Sequence, residues 1–286
     1  MTLMCVPDHP ADIDFFPKPL VMGIINCTPD SFFPSSRAAA LADASRKARQ
    51  LIAEGAHILD LGGESSRPGA DYVDEAEELR RVIPVVEEIR KTSQIPISID
   101  TRKAGVAEAA FKAGADIIND ISALQDDAAM AGIIADYGGY VVLMHKKGSP
   151  RDMQLEPHYV NVLDEVLAEL QLAVEKALRA GIKKEKIILD PGIGFGKRHQ
   201  DNLDLLRNIP RINELGYPVL IGHSRKSFLE KICGRGVDER IYASISAGVL
   251  AQLKGAAVLR VHDVAATLDA AAVVRAVEGE GTVWSG

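Results

Sequence analysis

Cysteine is scarce. Cys5, Cys27 and Cys233 are the only three in 286 residues; they are odd in number, far apart, and form no Cys-x-x-Cys pair. That argues against a disulfide framework and against a zinc site, and it suits a reducing cytosol. Long apolar runs are missing too. The longest stretch without Asp, Glu, Lys or Arg is the thirteen residues from Ile241 to Leu253, and a membrane span needs about 18 or more. Asp8, Asp12 and Asp14 stand where a secretory leader would be basic and then apolar. A positive excess is absent as well. With 33 Lys and Arg against 40 Asp and Glu the net charge is −7, which attracts neither nucleic acid nor acidic lipid, so an anionic ligand has to meet a local basic cluster. The expectation is a cytoplasmic protein with no membrane and no nucleic-acid partner.

What is present is a rhythm. Short apolar runs alternate with longer helix-patterned stretches from end to end. The runs are Leu20–Asn26, His57–Gly62, Ile95–Asp100, Asp116–Asp120, Tyr140–His145, Lys186–Asp190, Pro218–Gly222 and Ala256–Val261. Most are unbroken hydrophobics, as strands covered on both faces read. Between them, Leu79, Val82, Ile83 and Val86, and Leu163, Val166, Leu167, Leu170, Val174 and Ala177, repeat at the spacing of a helix with one buried face. Several of these stretches stop at a glycine just before the next run, at Gly55, Gly114, Gly138, Gly216 and Gly255. Eight strand-then-helix units without a composition break, in a chain near the usual length of about 250 residues, predict an α/β protein built as a single (β/α)8 TIM barrel over residues 20–286. A doubly wound open sheet is the rival. Residues 1–19, with four prolines, read as an irregular lead-in.

In such a barrel the site lies at the C-terminal ends of the strands, and here those ends are polar. In order they offer Asn26; Glu64 and Arg67; Asp100; Asn119 and Asp120; His145; Asp190; His223, Ser224, Arg225 and Lys226; then Arg260, His262 and Asp263. Polar loops explain any one of these, but they strain to explain all eight ends. Asp100, Asn119 and Asp190 each close an apolar run, where an unpaired polar group is costly and calls for a partner or a ligand. Helix capping is the competing account of Asp100. The stretch Ile188 to Lys197, ILDPGIGFGK, fails both the Walker and the dinucleotide spacings, which leaves an aspartate at a strand end followed by a small-residue loop that a flat ligand can approach. Anion recognition points instead to Ser224–Ser227 and to Arg260 and His262, whose side chains share one face by period-2 alternation. Arg67 is a further cation, and Asn26 is a hard oxygen ligand suited to magnesium.

These motifs, in this order, resemble dihydropteroate synthase from end to end: GIINCTPDSF around Asn26, GGESSRPG around Ser66 and Arg67, SIDT at Asp100, IND at Asn119, LMH at Met144, LDPGIGFGK at Asp190, SRKS at Lys226 and RVHD at Arg260. The resemblance implies a barrel that joins 6-hydroxymethyl-7,8-dihydropterin diphosphate to para-aminobenzoate, with magnesium and as a homodimer. It implies a pterin pocket of Asp100, Asn119, Met144, Asp190, Phe195 and Lys226, with Asp100, Asp190 and Lys226 as the catalytic set. By the same resemblance Ser66, Pro68, Phe195 and Ser227 flank the aminobenzoate, and Asn26, Arg67, Arg260 and His262 hold the diphosphate, Asn26 also holding the metal. The loops Thr28–Arg37 and Ser65–Ala70 are the segments expected to close over the site. Three residues depart from the family pattern: Pro34 stands for a loop aspartate, Ser66 for a threonine and Lys146 for a methionine. Two rivals are a methyltransferase on a similar barrel, which needs no diphosphate pocket, and a silent pterin-binding module, which Pro34 motivates.

Overall fold

The computed structural model of the protein describes residues 12–15, 19–27, 34–65, 70–148 and 157–279. Eight strands lie in it: β1 (Leu20–Asn26), β2 (Ile58–Gly62), β3 (Ile97–Asp100), β4 (Ile117–Asp120), β5 (Tyr140–Met144), β6 (Ile187–Asp190), β7 (Leu220–Ile221) and β8 (Val258–Val261). Every paired neighbour is parallel, in the order β6-β5-β4-β3-β2-β1-β8-β7. A bridge between Leu189 and Val219 joins the two ends and closes the ring. Around it run α1 (Pro34–Ala53), α2 (Glu75–Arg90), α3 (Ala104–Ala113), α4 (Met130–Tyr137), α5 (Val162–Arg179), α6 (His199–Arg207), α7 (Ile209–Asn213), α8 (Ser227–Cys233), α9 (Ile241–Leu253) and α10 (Val264–Val277). The predicted TIM barrel is the fold. None of these helices is long and apolar enough to cross a membrane.

The strands form where the apolar runs stand, because both of their faces are covered. One parity packs outward: Val21, Leu59, Ile99, Ile118, Val141, Leu189 and Leu259 meet the buried stripes of the helices, such as Val82 and Val86 on α2 and Val166 and Leu170 on α5. The other parity fills the interior with Leu20, Met22, Ile58, Ile117, Tyr140, Val142, Ile188, Leu220 and Val258, and Ile13 and Phe15 pack against this plug. Two runs shorten at prolines. The strand expected from Ile95 begins at Ile97 and that from Pro218 begins at Leu220; Pro96 and Pro218 have no N–H to donate, although their carbonyls accept from Leu59 and Leu189. The glycines read as helix stops at positions 114 and 138 are left-handed C-caps.

Two residues further up five of the strands, the inward position is charged or an amide. Ile58 gives way to Asp60, Ser98 to Asp100, Ile117 to Asn119, Ile188 to Asp190 and Val258 to Arg260, while β7 offers Gly222 after Leu220. The period of the strand therefore places an apolar floor under a polar mouth.

Candidate active site

The mouth is built from single residues on separate strands. Arg260 on β8 reaches across the interior to two carboxylates, donating from Nε to Asp60 at 2.6 Å and from Nη2 to Asp100 at 2.8 Å. Asp190 on β6 uses Oδ1 to accept from the Gly192 N–H at 2.7 Å. Its Oδ2, the Lys226 ammonium and the Arg260 side chain all lie within 4.0 Å of the point where a side chain on Gly222 would begin. A methyl group there would touch all three at ordinary contact distance, and a longer side chain would reach in among them. Met144, Ile121 and Phe195 form a small apolar cluster at the wall of the mouth, and the Lys226 ammonium sits 4.4 Å from the Phe195 ring centre. The sequence thus brings Asp100, Asn119, Met144, Asp190, Phe195, Lys226 and Arg260 to one opening.

Burial sets the proton affinities there. It pushes the Asp100 carboxyl up to about 7, against the pull of Arg260 and with help from the nearby charges of Asp60, Glu78 and Asp120. Burial likewise raises Asp190, which the Lys226 charge opposes, and pushes the Lys226 ammonium down to about 8. Two acids raised and a base lowered in one largely buried opening is the pattern of a functional site.

The glycine-rich loop that follows β6 is shaped by a buried staple. Lys197 donates to the Phe195 carbonyl at 3.0 Å and to the His145 carbonyl at 3.3 Å, and its ammonium lies 2.9 Å from His145 Nδ1. Burial holds it down to about 7. The lysine that ends ILDPGIGFGK is therefore no phosphate ligand; it ties the β6 loop to the β5 loop. Gly192 and Gly196 are required in that union. Both have positive φ, and a Cβ on either would run into the carbonyl oxygen of His145 or Lys147. The Ile193 carbonyl of the same loop accepts from Lys226.

Other polar strand ends turn aside. Asp120 accepts from Ser122 and Leu124 and holds its own loop, in which Ala123 and Leu124 take positive φ. His145 and His223 are buried behind the mouth. Arg225, grouped above with the cations that could meet an anion, makes a two-pronged pair with Asp263 at 3.0 and 2.6 Å. Its φ of 58° is a strained value for a non-glycine, held by its N–H on Ser244 and its carbonyl under Arg240. Capping does not explain Asp100, because the first free N–H of α3, at Ala104, is taken by Asp127 at 2.9 Å. Lys146, which departs from the family pattern, donates to Asp126 at 3.0 Å in a surface ion network with Arg102 and Glu64. Pro34 is the first residue of α1, where its fixed φ favours helix initiation.

On the rim, Asn26 ends β1 exposed, Ser227 starts α8 exposed, and His262 stands half-buried with Nδ1 3.0 Å from Ser224 Oγ. Ser66, Arg67 and Pro68, and most of the loop expected at 28–37, lie outside the described residues. Among the described residues no group of three or more His, Cys, Asp or Glu is arranged to hold a metal ion. Two residues of the site escaped the sequence reading. Asp60 and Lys197 are fully or almost fully buried; the signal for Asp60 is a carboxylate inside the apolar run HILDLGG, two positions before the strand end.

A family profile described as pterin binding enzyme matches residues 22–262. The dihydropteroate synthase of Haemophilus influenzae is 48% identical over 251 residues, covering 88% of this chain and 91% of its own. Among solved structures, Xanthomonas albilineans dihydropteroate synthase with 4-aminobenzoic acid superposes with a TM-score of 0.85 at 46% identity, over 91% of this chain and 93% of that one. The same enzyme in complex with 7,8-dihydropteroate gives a TM-score of 0.84 at 42% identity, over 93% and 95%. With motif order, barrel, mouth and these likenesses in agreement, the chain belongs to the dihydropteroate synthases, within the pterin-binding enzymes.

Proposed function

We propose that the mouth binds 6-hydroxymethyl-7,8-dihydropterin diphosphate and para-aminobenzoate and joins them to 7,8-dihydropteroate with release of pyrophosphate. The observation that carries the reading is the convergence of Asp190, Lys226 and Arg260 on the space above Gly222, beside the Met144 and Phe195 wall. A pterin edge carries adjacent N–H donors, a carbonyl and a ring nitrogen. Asp190 accepts from the donors, Asn119 reads the neighbouring edge, and Lys226 donates to the oxygen and ring nitrogen. A ligand that mismatches this set leaves buried polar groups unpaired, which supplies selectivity. As the bond to the diphosphate oxygen breaks, the electron pair leaves with pyrophosphate and positive charge grows on the exocyclic carbon and its ring. Asp100 and Asp190 stabilise that charge. The aniline nitrogen, held beside Ser66, Pro68, Phe195 and Ser227, then forms the C–N bond and loses its proton. Arg67, Arg260, His262 and Asn26 hold the diphosphate.

Magnesium fits as a passenger on that diphosphate. A magnesium ion borne by phosphate oxygens keeps most of its waters and needs only one or two protein oxygens, and exposed Asn26 offers one. When bound it would neutralise charge on the leaving group. The chain is further proposed to work in the cytoplasm as a homodimer. Cys27 and Cys233 are free thiols, and burial pushes that of Cys27 up to about 12. Tyr242, Leu250 and Leu253 on α9 and Val273 and Val277 on α10 leave apolar surface exposed on adjacent helices, and a dimer mass in analytical ultracentrifugation is the expected result. The test of the function is pyrophosphate release from the pterin diphosphate and para-aminobenzoate with magnesium. Release that requires both substrates is expected; tight pterin binding without turnover would favour the silent binding module instead.

A further inference from the structure

Asp60 lies below the slot, on the inward face of β2, with no exposure to solvent. Its carboxylate is met from three other strands. Ser98 on β3 donates Oγ to Oδ1 at 2.6 Å; Arg260 on β8 donates Nε to Oδ2 at 2.6 Å and brings Nη2 to 2.5 Å; Asn119 on β4 turns Nδ2 toward both oxygens at 3.5 Å. Two consequences follow for groups that touch the ligand space. The guanidinium of Arg260, gripped by Asp60 at two nitrogens and by Asp100 at one of them, cannot rotate freely. The amide of Asn119 turns its NH2 end toward Asp60, so its Oδ1, which is buried and has no hydrogen-bond partner among the described residues, is the end turned away. A buried unpaired acceptor is costly unless a ligand donor completes it.

We propose that Asp60 is a positioning residue for this reaction: from beneath the slot it fixes the plane of Arg260 and the amide sense of Asn119, so that the site presents an acceptor oxygen at Asn119 to an N–H of the heterocycle. This rests on reading the mouth as the pterin slot. Asp60 touches no ligand itself; it acts through the two residues that do. It also shapes the charge felt by Asp100, which Arg260 faces from β8, Asp60 from β2, Glu78 from α2, Asp120 from β4 and Lys226 from the start of α8.

The test compares the full-length chain with its Asp60→Asn variant. Loss of a hydrogen-bonded buried charge predicts a rise of about tenfold or more in KM for the pterin diphosphate with KM for para-aminobenzoate within about twofold. Removing a negative neighbour also lowers the proton affinity of Asp100, so the acid limb of kcat/KM against pH moves to lower pH, a change that a merely structural role would not produce. A second variant guards against a fold that fails. Asn119→Asp puts an acceptor against the Asp60 acceptors and is expected to be severely impaired, whereas the exchange Asp60→Asn with Asn119→Asp restores a donor–acceptor pair and is expected to regain about tenfold in kcat/KM over Asn119→Asp alone. A wild-type chain that turns over, with an Asp60→Asn variant unchanged in KM and pH profile, or with a folded exchange variant that regains nothing, would overturn the proposal. A wild-type chain that neither binds a pterin nor releases pyrophosphate would instead overturn the reading on which it rests.

Discussion

Two sets of charged and polar residues crowd the top of this barrel, and they differ in what they face: one the opening, the other the loops that frame it. Asp100, Asn119, Asp190 and Arg260 point inward, with Lys226 reaching over them from the β7 loop. Asp120, His145, Lys197, Arg225 and Asp263 are spent on the protein: Asp120 holds its own loop through Ser122, while Lys197 to His145 and Arg225 to Asp263 tie loop to loop. Immediate neighbours fall on opposite sides, as Asn119 and Asp120 do, and Met144 and His145. Chemistry at a strand end is thus common; on the strands parity decides whether it faces a ligand or the scaffold, and beyond them the loop contacts decide it. The inner set confers the reaction and the outer set confers its geometry.

Asp190→Asn and Lys226→Ala should each lower kcat/KM by more than about a hundredfold while moving the melting temperature only a few degrees, since inward residues serve the slot and not the core; steady-state kinetics beside thermal unfolding checks both halves. Next comes acidity. If ionised Asp100 stabilises the growing cation, kcat/KM should fall as pH drops through about 7, approaching a loss of about tenfold per pH unit below it. A profile flat to pH 5 breaks that assignment.

Lys197→Met tests the outer set. Two carbonyls lose their donor, so stability should fall by about 1–3 kcal/mol, or roughly 3–8 °C in melting temperature, with a loss of activity of about tenfold as the Phe195 loop loosens. The pH dependence has a definite sign. Lys197 binds its proton less tightly in the fold, near 7, than its ordinary 10.5, so between those values the unfolded chain holds more protons. The wild type should therefore gain stability relative to Lys197→Met as pH rises across that window. Asp263→Asn, which loosens Arg225, should raise KM for the pterin diphosphate by only about two- to fivefold with kcat nearly unchanged. Lys146→Met, on the surface network, should change stability by less than about 0.5 kcal/mol and leave both KM values alone; a large effect there would show that the network reaches the slot.

Most of the inner set was legible because a carboxylate or amide that closes an apolar run is conspicuous, and Asp100, Asn119 and Asp190 each do so. Asp60 was hidden by standing two residues short of its strand end, where it reads as an interruption and not a terminus. Its partner Arg260 lies 200 residues away, and no local pattern links the two. Lys197 was hidden for another reason: it ends a glycine-rich stretch with no apolar run around it, yet three acceptors from two loops hold it buried.

The alternation of apolar runs with amphipathic stretches was enough, by itself, to specify eight strands, their covering helices and a polar rim, because burial on both faces and helical periodicity are properties of neighbours in the chain. Which carboxylate meets which cation was decided only when the ring closed. Strand register sets β2 beside β3 and β8 beside β1, and only the closed ring converts parity into distance, bringing Asp60, Arg260 and Asp100 together across the interior, where burial pushes the Asp100 carboxyl up.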